Sequence, residues 1–87
     1  MYGAICAAPA LVLHTHGLLD GAVTAYPGFE KTLPAADFKE DRVVVSASGK
    51  CVTSRGPGTA LEMGVKLVEL LRGKEVASGV AKDLLLA

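Results

Sequence analysis

The chain has 87 residues, 51% of them hydrophobic, with nine acidic and nine basic side chains that cancel. Zero net charge without a basic stripe removes the electrostatic basis for nucleic-acid binding and for attachment to an anionic membrane surface. The length suits one small domain, yet a mean hydropathy of +0.41 is high for a chain with so much surface per volume. The excess implies apolar faces covered by another chain, or by protein outside these residues.

Tyr2-Gly3-Ala4-Ile5 reads as a short buried strand, expected to be central and parallel, with neighbours on both sides. Ala8 to about His16 reads as a helix ended by Gly17. Ala22-Val23-Thr24-Ala25 is a second short strand, closed by the turn signal Tyr26-Pro27-Gly28. Phe29 to Pro34 suits one helical turn. Arg42-Val43-Val44-Val45 and Lys50-Cys51-Val52-Thr53 are β-branched runs around Ser46-Ala47-Ser48-Gly49, which predicts a hairpin. Thr59-Ala60-Leu61-Glu62 matches a capping box, with the Thr side chain accepting from the Glu62 amide. The helix that follows has a broad apolar face, with Glu62 placed to pair with Lys66, and Gly73 stops it. A further helix from about Lys74 buries Val76, Ala77, Val80, Ala81 and Leu84. Strands alternating with helices indicate an α/β sheet with helices packed on it.

Two cysteines are too few for a disulfide framework and fit a reducing compartment, so the expected location is cytoplasmic. No stretch approaches the roughly 18 apolar residues that span a bilayer. Ala4 to Leu13 invites a secretory-leader reading, but Met1-Tyr2-Gly3 carries no Lys or Arg and Pro9 interrupts the run.

Cys6 sits between the first strand and a helix, followed by the small Ala7 and Ala8 and by Pro9. A sharp turn from strand into helix lifts a nucleophile above the sheet edge and aims helix amides at it. Those amides stabilise a thiolate, which makes the sulfur both nucleophilic and oxidisable. Burial as core filling is the competing reading, because cysteine is among the most buried residues. Cys51, in mid-strand beside Val52, reads as filling. His14 and His16 point to opposite sides of a helix and cannot share one ion, so no metal site is expected. Ser54-Arg55-Gly56-Pro57-Gly58-Thr59 lacks the Gly-Lys-Ser/Thr ending of a phosphate loop and reads as a tight connection near Cys6. No Gly-x-Ser-x-Gly elbow is present.

Ala4-Ile5-Cys6-Ala7-Ala8-Pro9 and Thr53-Ser54-Arg55-Gly56-Pro57-Gly58-Thr59 together resemble the ThiJ/PfpI superfamily. Tyr26-Pro27-Gly28-Phe29 joins them and Leu70-Leu71-Arg72-Gly73-Lys74-Glu75 follows, in the family's order. The branch resembled is that of the parkinsonism-associated deglycase (DJ-one) and its bacterial relatives. The resemblance implies the C-terminal half of a flavodoxin-like α/β sandwich, a mostly parallel sheet with helices on both faces plus a β-hairpin. Residues 1–87 would then be part of a single domain, its N-terminal half missing or on another chain, and the assembly usually a homodimer.

Family members are associated with glutathione-independent glyoxalase activity, repair of glycated groups, oxidant sensing through cysteine sulfinate, and chaperone behaviour. By the same resemblance Cys6 is the elbow nucleophile, and Ala7, Tyr26 and Pro57 line the pocket for a small aldehyde. No cofactor is implied. Two departures bear on the chemistry. Ala7 stands where the protease-like branches place His, which argues against peptidase activity. Tyr26 stands where the family places a pocket His, and a phenol with an ordinary pKa of about 10 shuttles protons poorly at neutral pH. The acid partner and the oxyanion donors of relatives belong to the N-terminal half. Oxidant sensing without catalysis, through Cys6 sulfinate, is the alternative function.

Overall fold

A computed structural model describes residues 1–86. Three strands, β1 (Tyr2–Ile5), β2 (Val43–Val45) and β3 (Cys51–Ser54), form one sheet in the order β1-β3-β2. β1 runs parallel to β3 with Tyr2 beside Cys51 and Ile5 beside Ser54. The hairpin predicted from the β-branched runs is present, with β2 antiparallel to β3 and Val45 opposite Val52. The central strand is therefore β3, whose four residues are all buried. Among the described residues β1 is paired on one side only, and its first two residues are exposed. Both the parallel crossover and the hairpin end on β3, so the other edge of β1 has no partner strand among the described residues.

Successive strand residues face opposite sides, so complete burial of β3 means both faces of the sheet are covered there. Gly3, Val52 and Val45 share one face by register. Helix α1 (Ala60–Arg72) lies on that side, its Met63 reaching the space beside Gly3. The other face carries Ala4, Thr53 and Val44. There the Thr53 hydroxyl accepts the Thr24 amide at 3.0 Å, which brings the 22–26 segment onto the sheet.

That segment forms no strand, contrary to its β-branched composition. A single parallel bridge, Val23 to Phe38, is all it makes. Its side chains still build the core: Ala10, Val23, Ala25 and Leu33 are buried, with Leu19, Phe29 and Phe38 packed around them. Apolar composition here reports burial beneath the sheet, not participation in it.

The helix expected over Ala8–His16 is a six-residue π-helical turn, Pro9–His14. Pro9 lacks an amide hydrogen, and the turn unwinds through mixed spacings: His16 donates to Val12 (3.1 Å), Gly17 to His14 (3.1 Å) and Leu18 to Leu13 (2.8 Å). Gly17, at φ 68°, ends it as read from the sequence. Phe29–Leu33 closes tight turns, with Thr32 donating to Phe29 at 3.0 Å and Leu33 to Glu30 at 3.3 Å.

Gly73 separates α1 from α2 (Lys74–Asp83) with φ 93°, a conformation that costs a residue with a Cβ but not glycine. The two helices pack on each other, and α1 also packs on β3 and β2. The capping box does not form: α1 has no side-chain cap. Glu62 pairs instead with Arg42 at 2.9 Å, and Lys66 with Glu69 at 3.2 Å. No residue of α1 is fully buried, while Ala77 alone is buried in α2 and Val76 and Leu84 stay exposed. Among the described residues no helix is long and apolar enough to cross a membrane.

Two local features carry testable consequences. A Cβ on Gly3 would lie 2.8 Å from the Val52 carbonyl oxygen and 3.0 Å from Met63 Cε. The carbonyl belongs to the central strand and cannot retreat freely. Gly3→Val is expected to lose about 1–3 kcal/mol in denaturant melts, and an unchanged midpoint would count against this tight approach.

The hairpin turn is clasped by Asp20, which accepts from Ser46 Oγ at 2.8 Å, from Ser48 Oγ, and from the Ser48 amide at 3.4 Å. The Ser48 and Ser46 hydrogen bonds hold its carboxyl below the ordinary 3.8. A lowered carboxylate stabilises the fold fully at neutral pH and loses that contribution as pH falls through its folded value. Protection of the Ser48 amide from hydrogen exchange should therefore hold from neutral pH down to about pH 4 and drop as the pH falls further. In Asp20→Ala it should be low throughout, and a wild-type protection factor indifferent to pH would contradict the clasp.

Candidate functional site

Cys6 follows β1 directly and adopts φ 67°, a left-handed conformation uncommon for a residue with a side chain. Such a residue stores roughly 1–2 kcal/mol of strain and persists when its surroundings over-determine it. Here the backbone is held from both sides. The Cys6 amide donates to the Ser54 carbonyl at 3.1 Å, and the Cys6 carbonyl accepts from the Tyr26 amide at 2.7 Å. The strand-to-helix elbow inferred from the residue order is thus present, with Cys6 half-buried.

Ala7 and Ala8 lead into the π-helical turn. The Ala7 carbonyl accepts from Ala10 at 3.1 Å and Leu11 at 2.9 Å, which closes the first turn directly after Cys6. Because β1 and β3 are parallel, Cys6 and the Ser54–Thr59 loop leave the sheet at the same carboxyl edge. In open α/β sheets that edge is where ligands bind.

Tyr26 is bound through its amide to Cys6, and its ring lies against the loop: a Cβ on Gly56 would meet Tyr26 Cδ1 at 3.5 Å. Tyr26 is 46% exposed, so it is open to solvent beside the elbow. Pro57 is exposed and opens the single 3-10 turn Pro57–Thr59. The structure thus brings the Cys6, Tyr26 and Gly56–Pro57 backbones to one place. Arg55 reinforces the grouping, donating from Nε to the Ala25 carbonyl at 3.0 Å while its guanidinium lies 5.9 Å from the centre of the Phe38 ring.

Glu30, close in the chain to Tyr26, accepts the Gly28 amide at 2.7 Å. Bonds from its own amide and that of Gly28 hold its carboxyl below the ordinary range. An ionised carboxylate so engaged has no proton to give at neutral pH, which leaves a general acid for Cys6 to come from elsewhere.

Cys51 differs in every respect. It is buried, pairs with Tyr2 at the far end of β1, and burial pushes its thiol above the ordinary range. Four strand residues separate its level from Cys6, about 13 Å at strand rise, beyond the reach of a disulfide; both thiols are free. His14 and His16 are exposed on the last turn after Leu13. Among the described residues no three His, Cys, Asp or Glu side chains converge. A surface pocket of about 310 Å³ lies away from Cys6, at the end of the sheet formed by Tyr2, Leu18, Asp20, Ser48 and Lys50. Its Asp20 is the carboxylate that clasps the hairpin, so the residues gathered there already have a structural use.

The hydroxyls of Ser54 and Thr59 were not anticipated at this site. Thr59 Oγ1 accepts the amides of Arg55 (3.2 Å) and Gly56 (3.1 Å) and lies 2.5 Å from Ser54 Oγ. The only sequence signal was the Thr-x-x-Glu spacing, which pointed the side chain toward the helix and away from the loop.

Comparison with known proteins bears on the family and the fold. The DJ-1/PfpI family model matches residues 1–70. Protein DJ-1 homolog A of Arabidopsis thaliana is 51% identical over 86 residues, covering 95% of this chain and 21% of the relative. The glutathione-independent glyoxalase DJR-1.2 of Caenorhabditis elegans is 38% identical over 89 aligned positions, covering all of this chain and 46% of the relative. The solved structure of oxidised Toxoplasma gondii DJ-1 superposes with a TM-score of 0.91 at 50% identity, over 98% of this chain and 46% of that one. The chain spans less than half the length of each of these relatives. Its α/β fold is theirs over the shared part, and the chain belongs to the DJ-1/PfpI family.

Proposed function

We propose that this chain supplies the nucleophile of a glutathione-independent glyoxalase or deglycase acting on small 2-oxoaldehydes such as glyoxal and methylglyoxal. The observation that carries the reading is the backbone of Cys6: a side-chain residue held at φ 67° on a strand-to-helix elbow. A relative named as a glutathione-independent glyoxalase supports the substrate class. The Cys6 thiolate adds to the aldehyde carbon to form a hemithioacetal. Transfer of the former aldehyde hydrogen, as a proton, to the neighbouring carbonyl carbon oxidises the first carbon to a thioester and reduces the second to an alcohol. Water then releases the 2-hydroxy acid and returns the thiol. Ala7 contributes an amide near the developing oxyanion, and Tyr26 and Pro57 line the pocket. No metal or organic cofactor takes part.

The acid partner and the remaining wall are proposed to come from an N-terminal half, on the same or a separate chain. The unpaired side of β1 and the length of the relatives support this. Exposed Leu61, Leu70 and Leu71 on α1 support a second copy as a further cover, giving a homodimer in the cytoplasm. Methylglyoxal consumption without glutathione, lost in Cys6→Ala, tests the proposal. A second reading, oxidant sensing at Cys6, is favoured by the relative solved in an oxidised form. Peroxide would oxidise the Cys6 thiolate stepwise to sulfinate. Oxidation at low peroxide in a protein that never turns over methylglyoxal would select it.

A further inference from the structure

We infer that Thr59 is a positioning residue for Cys6, acting through the Ser54–Gly56 loop; the inference rests on Cys6 being the reactive thiol proposed above. Thr59 is 7% exposed and Ser54 fully buried, so their hydroxyls are insulated from water and their bonds decide the loop's shape. Thr59 Oγ1 accepts two consecutive loop amides, Arg55 and Gly56, at 3.2 and 3.1 Å. It also lies 2.9 Å from the Gly56 carbonyl, which accepts its proton in one arrangement, and 2.5 Å from Ser54 Oγ in the other. Ser54 Oγ donates to the Arg42 carbonyl at 2.6 Å, at the entry to β2.

One threonine therefore ties the loop back on itself and, through Ser54, to the hairpin. The connection to the elbow is the Ser54 carbonyl, which takes the Cys6 amide at 3.1 Å. A second link runs from Arg55, whose amide Thr59 holds, through Nε to the Ala25 carbonyl, one residue before the Tyr26 amide that binds the Cys6 carbonyl. Both backbone bonds that keep Cys6 at positive φ are thus anchored in groups that Thr59 arranges. The same hydroxyl leaves the start of α1 without a side-chain cap. A helix-capping residue turned away from its helix marks a local rule overridden in favour of the loop.

Without the hydroxyl, the buried Gly56 amide and the part-buried Arg55 amide lose their acceptor, and the loop must move to find water or another partner. Cys6 would then relax from its strained backbone, and the thiol would leave its place at the elbow. The test compares iodoacetamide alkylation of Cys6, resolved by peptide mass spectrometry, in the protein assembled with its N-terminal half. Thr59→Val should slow alkylation about tenfold. Thr59→Ser, which restores the hydroxyl, should stay within about twofold of wild type.

An unchanged rate in Thr59→Val, or an equal loss in Thr59→Ser, would each overturn the inference. Should Thr59→Val fail to fold, Ser54→Ala decides: slower alkylation at neutral pH supports it, and a wild-type rate overturns it. Absence of methylglyoxal turnover in wild type would remove the glyoxalase reading while leaving the alkylation comparison readable, so the two failures are distinguishable.

Discussion

Cys6→Ala is expected to abolish methylglyoxal conversion in the assembled protein, a loss of at least about a thousandfold, because covalent catalysis has no substitute once the nucleophile is gone. The variant should fold normally. Cys6 is half-buried, and alanine removes only a sulfur at a position where two backbone hydrogen bonds, to Ser54 and from Tyr26, remain. Cys51→Ala serves as the contrast. It alters a buried thiol that burial keeps protonated at neutral pH, at the other end of β1, and should leave turnover unchanged at some cost in stability. Conversion measured by proton NMR without added glutathione decides between them. Equal activity in Cys6→Ala and wild type would refute a covalent role.

The largest expected effect on stability is at Val52. It is fully buried in the central strand, flanked by Gly3 and Val45 and covered by α1. Val52→Asp would place a carboxylate there without a cation, and strand geometry prevents the side chain from turning out to water. The penalty is several kcal/mol, against a whole-domain margin of about 5–15 kcal/mol. Far-ultraviolet circular dichroism should show loss of the cooperative melt. The same substitution at Lys31, an exposed turn residue, should shift stability by less than about 0.5 kcal/mol. A Val52→Asp protein melting like wild type would mean that β3 is not the centre of the fold.

What could be read from the sequence follows the range over which each signal acts. The hairpin, α1 and α2 and the stop at Gly73 come from local periodicity and from glycine's tolerance of positive φ, which need no knowledge of neighbours. The 22–25 segment looked like a strand because burial and strand formation favour the same residues. Its only bridging partner, Phe38, lies in a loop with no strand pattern. β1 reads as central because Gly3-Ala4-Ile5 is apolar; among the described residues it pairs with β3 alone, and a strand on its other side would have to come from protein outside them.

At the site, Cys6 and its elbow were legible because strand, small residues and Pro9 stand in sequence. The Cys6–Tyr26 and Cys6–Ser54 bonds were not, since they join residues 20 and 48 positions apart by backbone atoms that carry no side-chain signature. Thr59 shows a nearer conflict. Its spacing to Glu62 satisfies a capping box, yet Arg42 takes Glu62 and the loop amides take Thr59. Local rules ranked the short-range option first, and loop amides without other acceptors reversed the order.

The central claim is that the thiol at the elbow, and not the buried one, is the reactive group of this chain. Limiting iodoacetamide at about pH 7, with both cysteine peptides quantified by mass spectrometry in the folded protein, tests it most directly. The account predicts that Cys6 is alkylated at least about tenfold faster than Cys51, as a half-exposed thiol should be relative to one kept protonated by burial. Comparable labelling of the two would contradict it.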